Sequence, residues 1–176
     1  MNVGIVGSGA DKFVSETRET AKALILELLS PSDAVLVSGR SPVGGIDVWA
    51  EETADKIARR KIIHAPKVEQ WSPSGGRYGY KLRNIDIAKS SDIVHVIVVA
   101  EYPASYVGPR FKKCYHCLRM KRDAAHVKSG GCWTAEQAIK MGKQVVWYVL
   151  EPSNRATEPS NTADALDTLR KNERDL

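Results

Sequence analysis

Residues 37–50 read VSGRSPVGGIDVWA, and this order of residue types is the strongest structural signal in the chain. The small apolar residues 34–37 predict a buried strand, and residues 45–58, which begin at the second glycine of a pair, have helical spacing. Glycines let the backbone approach an anion closely, and a helix N-terminus offers unpaired N–H groups and a positive dipole end. The stretch therefore predicts a phosphate-binding strand, loop and helix.

A second glycine-rich segment, residues 129–134 (SGGCWT), precedes a helical pattern over 134–141. A third, Gly7-Ser8-Gly9, follows the apolar residues 3–6 and hints at a dinucleotide-binding turn that lacks the last glycine. Two glycine-rich helix starts in one small α/β chain predict one nucleotide-like ligand that is held from two sides.

The hydrophobic pattern alternates strands with helices along most of the chain. We predict strands at 3–6, 34–37, 61–65, 93–100 and 144–150, and helices at 15–29, 45–58, 79–90 and 134–141. This order predicts a Rossmann-like, doubly wound α/β fold with a mostly parallel five-stranded sheet and helices on both faces. We expect one domain over 1–151, an insertion at 102–129 and a polar tail at 152–176 with a short helix at 162–169. Ligands of such sheets bind at the carboxyl ends of the strands.

The composition is that of an ordinary globular protein. The 176 residues are 43% hydrophobic and 27% charged. No apolar run approaches the ~20 residues that span a bilayer, and the N-terminus does not have the pattern of a secretory signal. We therefore expect a cytoplasmic protein without a membrane partner, and three cysteines in a reducing compartment argue against a disulfide framework.

The net charge of +5 is concentrated in the insertion. Residues 108–128 carry seven basic residues against Asp123, so this segment has a formal charge of +6 and the rest of the chain −1. Basic side chains interleaved with Phe111 and Tyr115 suit a nucleic acid, and an ordinary solvated loop is the alternative. The candidate phosphate contacts are Lys112, Lys113, Arg119 and Arg122.

Cysteine and histidine cluster in the same segment. All three cysteines and two of the four histidines lie within nineteen residues. A C-x-x-C turn presents two thiolates to one metal, and zinc prefers four such ligands, which predicts a closed, structural zinc site. The predicted ligands are Cys114, Cys117, His126 and Cys132, with His116 as a sterically less favourable substitute for His126. A redox C-x-x-C pair and ordinary loop residues are the alternatives.

The glycine motifs carry a resemblance to a known superfamily. Residues 38–50 (SGRSPVGGIDVWA) resemble the Ser-Gly-x-Ala-x-Gly-Ile-Asp-x-x-Ala stretch of DNA-processing protein A, with a longer spacing and with Arg40 in place of a small residue. Residues 130–137 (GGCWTAEQ) resemble the Gly-Gly-x-Gly-Thr-x-x-Glu element of the Lonely Guy (LOG) proteins. Both families belong to the Rossmann-like SLOG superfamily, and the resemblance covers residues 2–150.

This resemblance implies binding of a nucleotide or a nucleotide-derived ligand. LOG proteins are phosphoribohydrolases that cleave the N-glycosidic bond of nucleoside monophosphates with a carboxylate and an arginine. Here Gln137 stands where the family has its glutamate, and a neutral amide cannot act as a base. If the chain is an enzyme, Arg40 and Glu136 are the catalytic candidates; otherwise it is a ligand-binding protein, a sensor, or a single-strand-binding module like the DNA-processing branch.

The two lines of reasoning give one set of ligand-binding candidates: Gly7, Ser8, Gly9, Ser38, Gly39, Arg40, Gly44, Gly45, Asp47, Ser129, Gly130, Gly131 and Thr134. Asp47 is either a ribose contact or a surface residue in the first helical turn. Thr134, with Gln137 three residues later, has the pattern of a helix N-cap. We predict Trp49 in the core, and Trp71 and Tyr78 as candidates for stacking on a base. A homo-oligomer is compatible with the sequence but not indicated by it.

Overall fold

The computed structural model describes residues 1–66 and 79–152 and the backbone of 160–161. Its strands form one sheet: β1 (Asn2–Gly7), β2 (Val35–Ser38), β3 (Arg60–Ile63), β4 (Ile93–Val99), β5 (Gln144–Leu150) and β6 (Ser160–Asn161). The order across the sheet is β3-β2-β1-β4-β5-β6; the first five strands are parallel, and β6 pairs antiparallel with β5. The α-helices are α1 (Ser15–Leu28), α2 (Ile46–Lys56), α3 (Gly79–Ser90), α4 (Tyr115–Arg119) and α5 (Gly131–Lys140).

The chain reverses its direction across the sheet after β3. The first three strands add outward from β1, and the chain then returns to place β4 on the other side of β1. The carboxyl ends of β1 and β4 therefore flank the switch point, where sheets of this type bind their ligands. The predicted doubly wound fold is confirmed.

Each face of the sheet has its own apolar core. On one face, residues of α1 and α2 such as Ile25 and Trp49 pack with Ile5 and Ile97. On the other face, α3 and α5 cover Val96 and its neighbours. The near-continuous β-branched run of β4, IVHVIVV, supplies both cores because alternate side chains point to opposite faces. Trp49 lies in the core, as predicted, with its ring edge-on to Phe13 at 4.9 Å between centroids.

Most predicted elements lie within one to two residues of the observed ones, and three features differ. The sheet has a sixth strand, the two-residue β6 in the predicted polar tail, in addition to the five predicted strands. Helix α5 begins at Gly131 rather than Thr134, so the predicted N-cap role of Thr134 is wrong, and Gly130 occupies that position. The insertion contains the short helix α4, which the sequence pattern did not indicate. The stacking candidates Trp71 and Tyr78 and the predicted terminal helix lie outside the described residues. Among the described helices, none is both long and apolar enough to cross a membrane.

Candidate ligand cavity and metal centre

Three glycine segments meet at the carboxyl end of β1. A methyl group on Gly131 would lie 2.7 Å from the backbone nitrogen of Gly7, so the start of α5 rests directly on the end of β1. Gly45 has a φ of +94°, a conformation that favours glycine, and a methyl group there would meet the carbonyl oxygen of Ser8 at 2.4 Å. The Ile46 N–H donates to that same oxygen at 3.2 Å. The two helix starts therefore approach one another through the loop that follows β1.

A cavity of about 400 Å³ opens where these segments meet. Such a volume is in the range of small-molecule sites, and its position at the switch point is the one expected for this fold. The lining residues come from all three glycine segments, from α3 and from the insertion: Val6, Gly7, Ser8, Gly9, Asp11, Lys12, Ser41, Val43, Gly44, Asp47, Tyr80, Arg83, Asn84, Tyr106, Lys128, Gly130, Gly131 and Thr134.

One end of the cavity has the character of an anion site. The Ser8 hydroxyl is buried and has no hydrogen-bond partner among the described residues. The first turn of α5 lines the same region and contributes the positive end of its dipole. Lys12 and Lys128 line the cavity as well, and Lys12 Nζ donates to the Lys128 carbonyl at 2.8 Å. Burial lowers the pKa of Lys12, and a bound anion would oppose this shift.

The α2 and α3 side of the cavity carries a buried carboxyl group and a guanidinium that are not hydrogen-bonded to one another. Arg83 donates to the Gly39 carbonyl at 2.8 Å and to the Asn84 side-chain oxygen, while its nearest nitrogen lies 3.9 Å from the Asp47 carboxylate. Burial raises the pKa of Asp47 to about 6 despite the attraction of Arg83 and a hydrogen bond from the Ser41 backbone. Asp47 is therefore not the surface residue that one interpretation of the sequence placed in this turn.

The structure divides the ligand-binding candidates into two groups. The residues that line the cavity are Gly7, Ser8, Gly9, Gly44, Asp47, Gly130, Gly131 and Thr134. The other candidates lie behind this wall or beside it: Ser38, Gly39, Arg40, Gly45 and Ser129. The Ser38 hydroxyl donates to Glu51, and Arg40 pairs with the same carboxylate at 3.0 Å while its side chain is 58% exposed.

Glu136, the second catalytic candidate, is not among the residues that line the cavity. Its carboxylate accepts hydrogen bonds from Arg119 at 2.7 Å and from Lys140 at 3.0 Å. Although partial burial acts to raise the pKa of Glu136, these two cations outweigh it and hold the pKa below the usual value. The structure thus brings neither Arg40 nor Glu136 to the wall of the cavity.

Several cavity residues were not candidates in the sequence. They are Lys12, Tyr80, Arg83, Asn84, Tyr106 and Lys128, together with the smaller Val6, Asp11, Ser41 and Val43. Lys12 follows the Gly7-Ser8-Gly9 loop by three residues, and α3 follows a strand whose carboxyl end lies at the ligand edge. Proximity to the end of β1 is a signal that could have found Lys12, whereas Arg83 and Asn84 reach the cavity through the packing of α3 and Tyr106 through an irregular loop.

The four predicted metal ligands form one buried cluster. The sulfur atoms of Cys114, Cys117 and Cys132 and a ring nitrogen of His126 lie within 4.8 Å of one another. The His126 Nδ1 atom is 2.7 Å from the Val127 carbonyl, and Nε2 faces the Cys117 and Cys132 sulfurs at 3.2 and 3.8 Å. A hydrogen bond from Nδ1–H to a carbonyl leaves Nε2 available as a metal ligand. The cluster could therefore hold a metal ion.

Sulfur–sulfur hydrogen bonds dominate the acidity of the three thiols. Those that Cys114 receives from Cys117 and Cys132 lower its pKa, and a backbone N–H of Ser129 acts in the same direction. The hydrogen bond with Cys114 raises the pKa of Cys117 to about 12. The hydrogen bonds with Cys114 and Cys117 raise the pKa of Cys132 above the ordinary thiol value. Three sulfurs packed so closely match a site in which one cation compensates several thiolates.

The candidate nucleic-acid contacts differ in their exposure and in their contacts within the protein. Lys112 and Lys113 are exposed. Arg119 is paired with Glu136, and Arg122 is half-buried with its guanidinium 3.8 Å from the centroid of the Trp147 ring. The Lys128 Nζ atom lies 4.9 Å from the centroid of the Phe111 ring and 5.4 Å from that of the Tyr115 ring. Basic and aromatic side chains therefore share this surface.

Comparisons with known proteins bear on the fold. No family model matches the chain, and no curated protein matches it. DNA processing protein A from Streptococcus pneumoniae is 14% identical, with 97% of this chain covered and a TM-score of 0.46; the match spans only 56% of that protein. The molybdenum cofactor carrier protein from Chlamydomonas reinhardtii is 16% identical, with 97% of this chain and 96% of that chain covered and a TM-score of 0.50. The strand order and the match to the carrier protein show that this chain has a Rossmann-like fold.

Proposed function

We propose that the protein binds a nucleotide or a nucleotide-derived ligand in the cavity at the switch point, with a phosphate group near Ser8 and the first turn of α5. The observation that carries this proposal is the buried Ser8 hydroxyl, which has no hydrogen-bond partner in the part of the chain that the structure describes. A buried hydroxyl that makes no hydrogen bond costs about 1–3 kcal/mol, so its retention in a cavity wall favours a ligand that supplies the missing bond.

The charges of the cavity wall fit the two ends of such a ligand. Lys12, Lys128 and the α5 dipole favour the phosphate. Asp47 and Asn84 offer oxygen and nitrogen atoms that can form hydrogen bonds with ribose hydroxyls. Because the Arg83 guanidinium lies 3.9 Å from the Asp47 carboxylate, that carboxylate can still accept hydrogen bonds from such hydroxyls. The known carrier of the molybdenum cofactor shows that a chain of this fold and length can hold a small molecule.

Titration calorimetry with nucleosides and their monophosphates tests this proposal. We expect the monophosphates to bind and the nucleosides to bind at least tenfold more weakly. Lys128→Met should weaken monophosphate binding, whereas the control Lys113→Met, which removes an exposed charge from the same insertion, should not. Equal affinities for nucleoside and monophosphate would contradict the placement of the phosphate.

Hydrolysis of a nucleoside monophosphate is a second candidate function, favoured by the acidity of Asp47. A carboxyl group with a pKa raised to about 6 in a ligand cavity is suited to accept or donate a proton near neutral pH. Asp47, and not Glu136, would then carry the proton. Incubation with nucleoside monophosphates and chromatography for free base tests this activity, which must disappear in Asp47→Asn.

Binding of a single-stranded nucleic acid is a third candidate, favoured by the surface on which Lys128 contacts Phe111 and Tyr115. Binding through these basic residues should weaken steeply as salt is raised, because it depends on counterion release. An affinity for oligonucleotides that is independent of salt would exclude this candidate.

We also propose that the cysteine–histidine cluster holds zinc in a structural role. A Cys3His set offers zinc its preferred four ligands and no open position for a water. Metal analysis of protein purified without added metal should find about one zinc per chain. Absence of zinc with three titratable free thiols would contradict the assignment.

A further inference from the structure

We propose that the metal site controls the ligand cavity, so that the protein binds its phosphate-bearing ligand only while the cysteine–histidine cluster holds a metal ion. This inference rests on the proposed function of the cavity and adds its regulation. The cluster and the cavity share one short segment of chain, residues 128–132, and each step of the reasoning concerns that segment.

The four ligands join two parts of the molecule. Cys114 and Cys117 belong to the insertion, at the start of α4, whereas Cys132 belongs to the first turn of α5. His126 lies between them in the chain. A metal bound by all four would cross-link the insertion to α5, the helix whose start forms one wall of the cavity.

The segment between two of the ligands forms the anion end of the cavity. Residues 127–131 lie between His126 and Cys132, and Lys128, Gly130 and Gly131 line the cavity. Ser129 is buried; its hydroxyl accepts the Gly131 N–H at 3.2 Å, and its own N–H donates to the Cys114 sulfur. Contacts with the metal ligands therefore contribute to the conformation of this loop, together with the hydrogen bonds from Val127 to the Val99 carbonyl and from Lys12 to the Lys128 carbonyl.

Outside the cluster, the insertion is held by a few contacts, which include the hydrogen bond from the Val127 N–H to the Val99 carbonyl and the packing of Arg122 on Trp147. Within residues 102–129, the fully buried apolar side chains are Cys114, Cys117, Ala124 and Val127. Of the larger apolar side chains of the insertion, Tyr102 and Met120 pack half-buried against the cores, whereas Val107, Phe111 and Leu118 are exposed. A segment with so small a core needs a metal to become ordered. The core under α1 and α2 contains Val127 of the insertion, and the core under α3 and α5 contains Cys114, Cys117, Ala124 and Cys132. Most residues of both cores belong to the strands and to the helices on the sheet, so we expect the sheet to stay folded without the metal.

The experiment uses the full-length protein with its metal removed by a chelator under reducing conditions, and the same protein reloaded with one equivalent of Zn²⁺. Hydrogen exchange reports on the amides of residues 126–133 and, as an internal reference, on those of β1 and β4. Calorimetry with inorganic phosphate reports on the anion end of the cavity.

We expect metal removal to increase the exchange rates at 126–133 at least tenfold, with β1 and β4 still protected, and to weaken phosphate binding at least tenfold. Zn²⁺ should restore both properties. His126→Ala should behave like the metal-free protein, and Cys117→Ser serves if that variant does not fold. His116→Ala, which removes a partly buried histidine from the same insertion, should retain metal and phosphate binding.

The outcomes separate this inference from the proposed function. Unchanged exchange at 126–133 after metal removal, failure of the protein to bind Zn²⁺, or equal phosphate affinity with and without metal would each overturn it. If neither form binds phosphate or any nucleotide, the proposed function fails, while the exchange measurement still decides whether the metal orders the loop.

Discussion

At the scale of single residues, the cavity depends on polar groups that the protein leaves incompletely paired. Ser8 is 2% exposed and its hydroxyl has no partner among the described residues, whereas the buried Ser91 hydroxyl donates to the Ile87 carbonyl at 2.7 Å. The two serines are almost equally buried, but within residues 1–66 and 79–152 the hydroxyl of Ser91 has a hydrogen-bond partner and that of Ser8 has none. This contrast supports the proposal that the Ser8 hydroxyl forms its hydrogen bond with a ligand.

We predict that Ser8→Ala leaves the free protein as stable as the wild type or up to about 1 kcal/mol more stable, because it removes an unsatisfied buried group. The same variant should bind nucleoside monophosphates about fivefold to tenfold more weakly. Ser91→Ala, the matched control, should lower the free energy of unfolding by about 1 kcal/mol without changing binding. Chemical denaturation and calorimetry measure both effects. A Ser8→Ala variant that loses stability but not affinity would contradict the assignment.

Asp47 makes the stability depend on pH in the direction opposite to a salt-bridged carboxylate. Its pKa rises from 3.8 to about 6 on folding, so the folded state resists ionisation of this group. Above about pH 6 the carboxyl group is ionised in both the folded and the unfolded state, and its burial then lowers the free energy of unfolding by about 3 kcal/mol. This value follows from the pKa shift at about 1.36 kcal/mol for each pKa unit. This penalty disappears as the pH falls from about 6 to about 4.

We therefore predict that the wild type gains stability relative to Asp47→Asn as the pH is lowered from 7.5 to 4.5. The difference between the two denaturation curves isolates Asp47 from the other carboxyl groups, which titrate in both proteins. Asp86→Asn, a change at an exposed position of α3, should give a curve parallel to that of the wild type. Parallel curves for Asp47→Asn as well would show that Asp47 is not buried in the folded protein.

At the scale of elements, the contact between β1 and α5 positions the second glycine loop. A methyl group on Gly131 would lie 2.7 Å from the Gly7 nitrogen and 2.9 Å from the Gly7 Cα. These are backbone atoms in the centre of the sheet and cannot move aside. A methyl group on the neighbouring Gly130 would meet nothing within 4 Å.

We predict that Gly131→Ala lowers the free energy of unfolding by about 2–3 kcal/mol, since α5 must shift away from β1. Gly130→Ala should change it by less than about 0.5 kcal/mol. Urea denaturation of the two variants compares adjacent glycines that differ only in their surroundings. Equal stabilities would mean that α5 does not rest on β1 in this way.

The elements were largely predictable because their signals are local. Strand β5 and helix α3 have the bounds that the hydrophobic pattern predicted, and the run of β-branched residues identified β4 as a buried central strand. The start of α5 was not predictable from Thr134 and Gln137, whose capping pattern is overridden by the packing of Gly131 on Gly7. That packing depends on the fold rather than on the neighbours in sequence.

The candidate site was predictable only in part, for the same reason. Glycine motifs identified the loops that meet at β1, and the C-x-x-C spacing identified the residues that form the cluster. The burial of Asp47 and the placement of Arg83 and Asn84 depend on how α2 and α3 pack over the strand ends, and no residue pattern records this. The pairing of Glu51 with Arg40 and of Glu136 with Arg119 likewise links side chains far apart in sequence.

At the scale of the whole molecule, the charge is distributed unevenly. Residues 108–128 carry +6 of formal charge and the remainder carries −1. A basic segment beside an anion cavity raises the local concentration of anionic ligands and also attracts polynucleotides without selecting among them. The same insertion can therefore give rise to two kinds of binding with different responses to salt.

We predict that the double variant Lys112→Glu, Lys113→Glu weakens oligonucleotide binding at 50 mM salt at least tenfold and leaves nucleoside monophosphate binding within twofold of the wild type. Both lysines are exposed and neither lines the cavity. Fluorescence anisotropy and calorimetry measure the two affinities. A parallel loss of both would show that the insertion and the cavity form a single site.

The most direct test of the central claim is a thermal-shift panel at 50 and 500 mM salt with nucleoside mono-, di- and triphosphates, NAD, ADP-ribose, cyclic nucleotides and short single-stranded DNA and RNA. A ligand that binds only the folded state must raise the melting temperature. Binding in the cavity predicts that at least one small nucleotide raises it at both salt concentrations and that Ser8→Ala reduces this shift. A shift with polynucleotides alone, lost at 500 mM salt, would contradict a nucleotide-binding cavity and assign the function to the basic insertion.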